Sequence, residues 1–316
     1  MSDLAVAEAP GAAASRPLMP GEGGENGRRW VLVAVLVVLG LGWGSTQSLG
    51  KMATATGHQP FGLIFWQLVV GAVVLGVISA LRGKGLVLSG PALRFYVVIA
   101  VIGTLVPNAT FYASVVHLPA GVMSMLISTV PLIAFPMALA LRMDRLSPGR
   151  VIGLGLGLLG VALIAGPGGS FSLGWLAVAM VGPVFYAAEA TWVARTGTAG
   201  MDAVQAMFGV SVVGAVMAAP LALGTGQWVD PLPLGRAEVA LVILAAVHAV
   251  VYAGYVWLAR QAGSVFAAQT SYLVTGSGVI WAMLLLGERF QPLAWVALAV
   301  MLAGVALVQP RPARGA

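Results

Sequence analysis

Residues 149–166, GRVIGLGLGLLGVALIAG, and residues 292–309, PLAWVALAVMLAGVALVQ, share the run Gly-Val-Ala-Leu at 160–163 and at 304–307, an offset of 144. Each is a continuous apolar stretch close to the ~20 residues that a helix rising ~1.5 Å per residue needs to cross a hydrocarbon core of ~30 Å. One four-residue identity between glycine-rich segments is weak evidence. The same offset, however, lays 30–50 on 174–194 and 119–140 on 263–284, Asp144-Arg145 on Glu288-Arg289, and Pro148 on Pro292. Five spans agree at one shift without a gap, so the chain carries an internal duplication.

Ten apolar stretches follow from this frame: 30–50, 61–81, 93–114, 118–140, 149–166, 173–194, 203–223, 237–258, 263–286 and 292–309. Composition agrees, with 59% hydrophobic residues and 8% charged ones, against about 25% charged in soluble domains. The expected fold is an all-α integral membrane protein of ten transmembrane helices, arranged as two five-helix repeats at 30–166 and 173–309. A tail over 1–29, rich in Ala, Gly, Pro and Glu, reads as disordered, and 310–316 reads as a second short tail. Arg28 and Arg29 ahead of the apolar run 30–42 imitate a signal peptide with Ala53-Thr54-Ala55 as its cleavage site, but the repeat needs that stretch as its first span. Cysteine is absent, which removes disulfides and thiolate metal sites.

The net charge of +6 does not indicate nucleic acid, because the basic residues cluster at span ends on one side. Starting inside, the cytoplasmic segments hold Arg16, Arg28, Arg29, Arg82, Lys84, Arg94, Arg142, Arg145, Arg150, Arg195, Arg260, Arg311 and Arg314, and the other side holds Lys51, Arg236 and Arg289. Thirteen against three places both termini in the cytoplasm by the positive-inside rule. With five spans per repeat the two halves insert upside down relative to one another, an arrangement of secondary transporters.

Several short pieces carry a family resemblance: Trp43-Gly44-Ser45 with Lys51, Pro107-Asn108, Leu118-Pro119-Ala120-Gly121, Pro131, Asp144-Arg145, the ladder Gly153, Gly157, Gly160, and Gly287-Glu288. In this order, over about residues 30–310, the sequence resembles the EamA branch of the drug/metabolite transporter superfamily. Gln67 stands where many relatives carry arginine, Thr275 where a proline mirroring Pro131 is expected, and Asp144 where glutamate is usual. The resemblance implies metabolite efflux, often of amino acids or related compounds, across a bacterial inner membrane, and it implies no cofactor. Uptake or exchange of another metabolite is the alternative reading. A passive channel and an intramembrane enzyme are the remaining rivals. Gly276-Ser277-Gly278 beside His248 falls short of the Gly-x-Ser-x-Gly pattern of serine hydrolases, and no His-Glu-x-x-His zinc motif occurs.

The repeat also predicts where substrate sits. Thr104 and His248 are mates near the middle of their spans, as are Pro131 and Thr275. Helical spacing puts His248, Tyr252 and Tyr255 on one face, with Thr104, Asn108 and Phe111 as their mates. Ser124, Ser128 and Pro131 share a face of the fourth span; Ala268, Tyr272 and Thr275 share one of the ninth. Polar stripes of this kind avoid lipid. The expected substrate-binding residues are therefore Thr104, Asn108, Ser128, Pro131, His248, Tyr252, Tyr272 and Thr275. Proline at 131 leaves the Ile127 carbonyl without its helical donor, and Gly276 and Gly278 offer a bend on the mate helix. Glu189 is the acidic residue placed well inside a span, where a charge costs at least ~2.5 kcal/mol. It reads as a coupling or route-lining residue together with Trp43 and Gln47. Lys51 reads as an outer-gate or snorkelling residue, and the glycine ladder as packing. Single cysteines at Ser2, Gly169 and Ala316, probed in whole cells with an impermeant thiol reagent, should label at Gly169 alone; labelling at either terminus overturns the orientation.

Overall fold

The computed structural model describes residues 22–308 apart from 144, 166–171, 263–265 and 268. Asp144, Gly169, Ala268 and both terminal tails, 1–21 and 309–316, thus lie outside the described residues. The described chain is helical: α1 (Glu22–Ala53), α2 (Pro60–Leu81), α3 (Gly90–Ile99), a π-helical turn (Ala100–Leu105), α4 (Val106–Val115), α5 (Ala120–Ile127), α6 (Val130–Ala140), α7 (Pro148–Ala165), α8 (Leu173–Thr196), α9 (Ala203–Gly224), α10 (Arg236–Ala262), α11 (Thr270–Leu286) and α12 (Pro292–Val308). Seven helices among the described residues are long and apolar enough to cross a membrane, with α3 to α4 and α5 to α6 each counting as one. Three more apolar helices are shorter: Pro148–Ile164, Thr270–Leu286 and Pro292–Val308. Large apolar side chains such as Val73, Leu158, Val216, Leu223 and Leu284 stand exposed on the outer faces, as lipid-facing residues do.

One boundary differs from the sequence reading. α1 begins at Glu22, inside the segment 1–29 expected to be disordered. Extending a helix costs little once its first turns exist.

Helix neighbours obey the duplication. α1 packs on α10 and α11; its mate α8 packs on α4 and on α5 and α6. α3 packs on α9, and their mates α10 and α2 pack together. The pairs α2–α9 and α7–α12 map onto themselves, and both are antiparallel. Gly62 approaches Val229, Gly71 approaches Ser211 and Gly76 approaches Phe208; Gly153 meets Leu307 and Val308, whereas Gly160 meets Ala297 and Met301. An antiparallel pair of mates puts the relating two-fold axis across the helices rather than along them. The glycine ladder is what lets α7 and α12 come so close, since a Cβ at Gly153 would lie 2.6 Å from the Gly304 carbonyl oxygen.

Two spans depart from regular α-helix. Pro107 has no N–H to donate, and the turn before it widens: Val106 N–H reaches the Val101 carbonyl, five residues back. The fourth span breaks at Ser128 and Thr129, ahead of Pro131. There Ser128 and Thr129 N–H groups bond to Met125 and Leu126 carbonyls at 3.1 and 3.0 Å, and their hydroxyls donate to the same two carbonyls at 2.6 Å each. The two carbonyls at the break thus each accept twice, from an N–H and from a hydroxyl of the same residue. The mate helix α11 runs unbroken through Gly276 and Gly278. No bend forms there. Gly278 instead makes room for the Ser124 side chain, and the space beside Gly276 is open.

At the end of the bundle that carries Arg82 and Lys84, Asp202 caps α9 by accepting the Gln205 N–H at 3.1 Å. It also accepts from Arg82 at 3.0 Å and Lys84 at 2.5 Å, fastening the loop after α2 to α9. Burial alone would raise the pKa of Asp202, but the bonds from Lys84, Gln205 and Arg82 outweigh it and hold the carboxyl down to about 2. A depressed carboxylate stabilises the fold above its unfolded pKa of about 3.9 and loses that contribution as pH falls through the folded value. Asp202→Ala should therefore cost about 1 kcal/mol at neutral pH, mainly as a lost cap, because the two basic partners are largely exposed and screened. Thermal unfolding in detergent should show the difference from wild type shrinking between about pH 4 and pH 2; a difference unchanged over that window contradicts this role.

Candidate functional site

The middle of the bundle gathers four aromatic rings. The Trp43 indole meets His248, Tyr252 and Tyr255 at centroid distances of 5.9, 6.0 and 5.7 Å with interplanar angles of 81°, 75° and 69°. The three partners lie on one face of α10 because of their i, i+4, i+7 spacing, and Trp43 reaches them because α1 packs tightly on α10, with Gly42 against Val247 and Val251 and Gly254 against Leu39. Glycines here set the depth of the site by letting backbones approach.

Glu189 enters from α8 and abuts the π-helical turn. A Cβ added to Gly103 would lie 2.6 Å from its carboxyl carbon and 2.7 and 2.8 Å from its oxygens, so only glycine leaves that carboxylate its place. Tyr186, one turn earlier on α8, donates to Asn108 Oδ1 at 3.4 Å. Tyr186 and Tyr252 both lie within electrostatic reach of Glu189, which joins the α8 side of the site to the aromatic side. Among the described residues Glu189 has neither an ion pair nor a hydrogen bond. Gln47, one turn after Trp43, keeps a buried Oε1 without a partner. Gly50 approaches both Phe111 and Leu244, and stepping back one turn from that level brings Gln47 to the height of Asn108 and His248.

The remaining expected site residues fall into three places. Thr104 is buried in the widened turn next to Gly103. Ser128 is buried and bonded to Met125, and Thr275 is buried and bonded to the Ser271 carbonyl at 2.9 Å; both hydroxyls serve their own helices. Tyr272 packs against the cluster of Leu132, Phe135, Val305 and Val308, and Pro131 lies in the first turn of α6. The structure thus brings Trp43, Gln47, Thr104, Asn108, Glu189, His248 and Tyr252 toward one region, and packs Tyr272 against another cluster. Gln67, where a charged contact was in doubt, accepts a hydrogen bond from the buried Tyr112 hydroxyl at 2.7 Å. Two clefts lie elsewhere: one of about 460 Å³ beside Leu49, Met52, Val239 and Ile243, and one of about 270 Å³ beside Asp202, Val204 and Trp257. Neither includes a residue of the central cluster.

A model of the EamA-like transporter family matches residues 28–166 and again 173–309. The chain belongs to the EamA-like transporter family. Eighteen chains of solved structures also match. One, a crystal structure, superposes with a TM-score of 0.63 at 16% identity, covering 88% of this chain and 98% of that one, which is a likeness of fold. No curated protein matches significantly.

For this EamA-like chain three of the family pieces singled out in the sequence, Lys51, Leu118-Pro119-Ala120-Gly121 and Gly287-Glu288, meet at the end of the bundle where α1 finishes. Lys51 Nζ donates to the Leu118 carbonyl at 2.8 Å and to Glu288 Oε1 at 3.1 Å. Glu288 in turn accepts the Ala120 N–H at 2.7 Å and the Gly121 N–H at 3.0 Å. These are the first two N–H groups of α5, which have no partner within their own helix, and the α5 helix dipole favours a carboxylate there. Gly121 also makes room for the Phe290 ring. One carboxylate thus ties α1, α5 and the α11–α12 loop together. Glu288→Ala should cost about 2 kcal/mol, since it strands two backbone donors and an ammonium. A double-mutant cycle with Lys51→Met, read by unfolding in mixed micelles, should show coupling of about 1 kcal/mol; additive losses contradict a direct knot.

Proposed function

We propose that this EamA-like protein is a ten-span secondary transporter that exports a small metabolite by alternating access, with both termini cytoplasmic in a bacterial inner membrane. In this reading the units 30–166 and 173–309 are inverted repeats. The antiparallel packing of the mates α2 with α9 and α7 with α12 supports the inversion. Substrate sits among Trp43, Gln47, Thr104, Asn108, Glu189, His248 and Tyr252, with Ser128, Pro131, Tyr272 and Thr275 shaping the helices that move around it. The Lys51–Glu288 knot closes the outer end while the site faces the cytoplasm.

The observation that carries this reading is the Glu189 carboxylate, set inside α8 against Gly103 and without a partner among the described residues. A group kept there at an insertion cost of ~2.5 kcal/mol or more without a protein partner is placed to meet something that comes and goes. A proton and a substrate are the two candidates, and one carboxylate that takes either in turn couples their movements. Tyr186 on its own helix and Tyr252 on α10 lie within electrostatic reach of it; Arg195, the nearest basic residue along α8, lies six positions further on.

Transport in proteoliposomes tests this in two ways. Glu189→Gln should abolish proton-driven accumulation while leaving substrate binding measurable; accumulation that still follows an imposed pH gradient removes Glu189 from coupling. Thr104→Trp, which fills the widened turn beside Gly103, should block counterflow of any accepted solute without preventing insertion. Normal affinity in that variant moves the site elsewhere.

A further inference from the structure

The transport reading leaves open which chemistry the cluster receives, and its unmatched groups narrow the choice. Three features are all on the accepting side. The Glu189 carboxylate is without a cation or a hydrogen-bond donor among the described residues. Gln47 Oε1 is buried and lacks a donor. The Trp43 indole meets the rings of His248, Tyr252 and Tyr255 at 81°, 75° and 69°, which gathers aromatic surface beside these two acceptors.

We propose that this cluster is an organic-ammonium site: it takes a monocationic amine with an apolar body, and discriminates against zwitterionic amino acids. The proposal rests on the transport reading and names the substrate class of the same site. An ammonium group supplies the positive charge the site lacks, and N–H groups for its two unpaired acceptors. Aromatic rings attract a cation through the ring quadrupole, most strongly when it is desolvated. Gln47 Oε1 and Glu189 can then accept its N–H groups. A carboxylate on the ligand would meet neutral donors, such as the Trp43 indole N–H, but no cation. The nearest ammonium of the protein, Lys51, is held by Glu288 and the Leu118 carbonyl, one turn beyond Gln47. No arginine lies on the π-helical turn, α4, α5 or α6, the elements packed around Glu189 on α8. A free amino acid would therefore bury one unpaired charge, at a cost that selects against it.

Isothermal titration of the purified full-length protein in lipid nanodiscs with three probes of one skeleton tests the assignment: phenethylamine, phenylalanine and phenethyl alcohol. Phenethylamine should bind at least ~10-fold more tightly than either of the others, the scale expected for a desolvated cation on aromatic rings with a counter-charge. In Glu189→Gln the amine should fall to the level of the alcohol, whose own affinity changes little, and Gln47→Leu should weaken the amine several-fold. Equal or tighter binding of phenylalanine or of phenethyl alcohol overturns the proposal, as does binding of none of the three at millimolar concentration. Should a variant fail to fold, the three-probe ranking on the wild-type protein decides alone. Proteoliposome counterflow separates this inference from the transport reading: phenylalanine counterflow that Thr104→Trp abolishes keeps the transporter and its site but rejects the amine.

Discussion

A polar group carried into hydrocarbon has to be satisfied by the protein, by water or by a ligand, and this one constraint organises the molecule. Where the chain breaks its helices, hydroxyls turn back on nearby carbonyls. Ser128 and Thr129 hydroxyls return to Met125 and Leu126 carbonyls ahead of Pro131, and Thr110 returns to the Val106 and Pro107 carbonyls after the π-helical turn. At the start of α5 the donors are met from a distance of more than a hundred residues by Glu288. Two groups without partners among the described residues, Glu189 and Gln47 Oε1, converge on the aromatic cluster at the centre.

Packing explains why that cluster can exist between two repeats. Glycines at the crossing points bring backbones close: Gly44 against Ser277 and Gly278, Gly103 against Glu189, Gly153 against Gly304. The self-mated contacts α2–α9 and α7–α12 flank the cluster, while α1 and α8, mates of one another, carry Trp43, Gln47 and Glu189 into it from the two halves. A two-fold axis across the helices makes the two ends of the bundle related by the repeat. The knot at one end then has a counterpart in sequence at the other, Asp144 for Glu288 and Arg195 for Lys51.

Much of this was legible in the sequence, and the failures have physical causes. Composition and the 144-residue offset located the apolar helices and the duplication because lipid imposes a length and a hydropathy on every span. Glu189 stood out because an acidic residue in such a span is costly. Pro131 correctly announced an irregular fourth span, yet the break falls two to three positions earlier, where the Ser128 and Thr129 hydroxyls turn back on the Met125 and Leu126 carbonyls. Gly276 and Gly278 were read as a bend; in α11 they serve close approach and open space, since glycine permits a kink without requiring one. The widened turn at Ala100–Leu105 was hidden, although Gly103 and Pro107 four residues apart carry its cause. The Lys51–Glu288 knot joins residues 237 positions apart and becomes visible only when the helices are assembled. Gln47 drew notice for its place beside Trp43, but its empty acceptor could be seen only with its neighbours in place.

The central claim is that the two ends of the bundle open in alternation around this cluster. Pulsed electron paramagnetic resonance in the cysteine-free chain tests it most directly, with spin-label pairs at Ala55 and Gln291 at one end and at their repeat mates Ala199 and Ser147 at the other. As pH or phenethylamine shifts the population, the account predicts that one distance lengthens while the other shortens. Two distances that stay fixed, or that lengthen together, would contradict it.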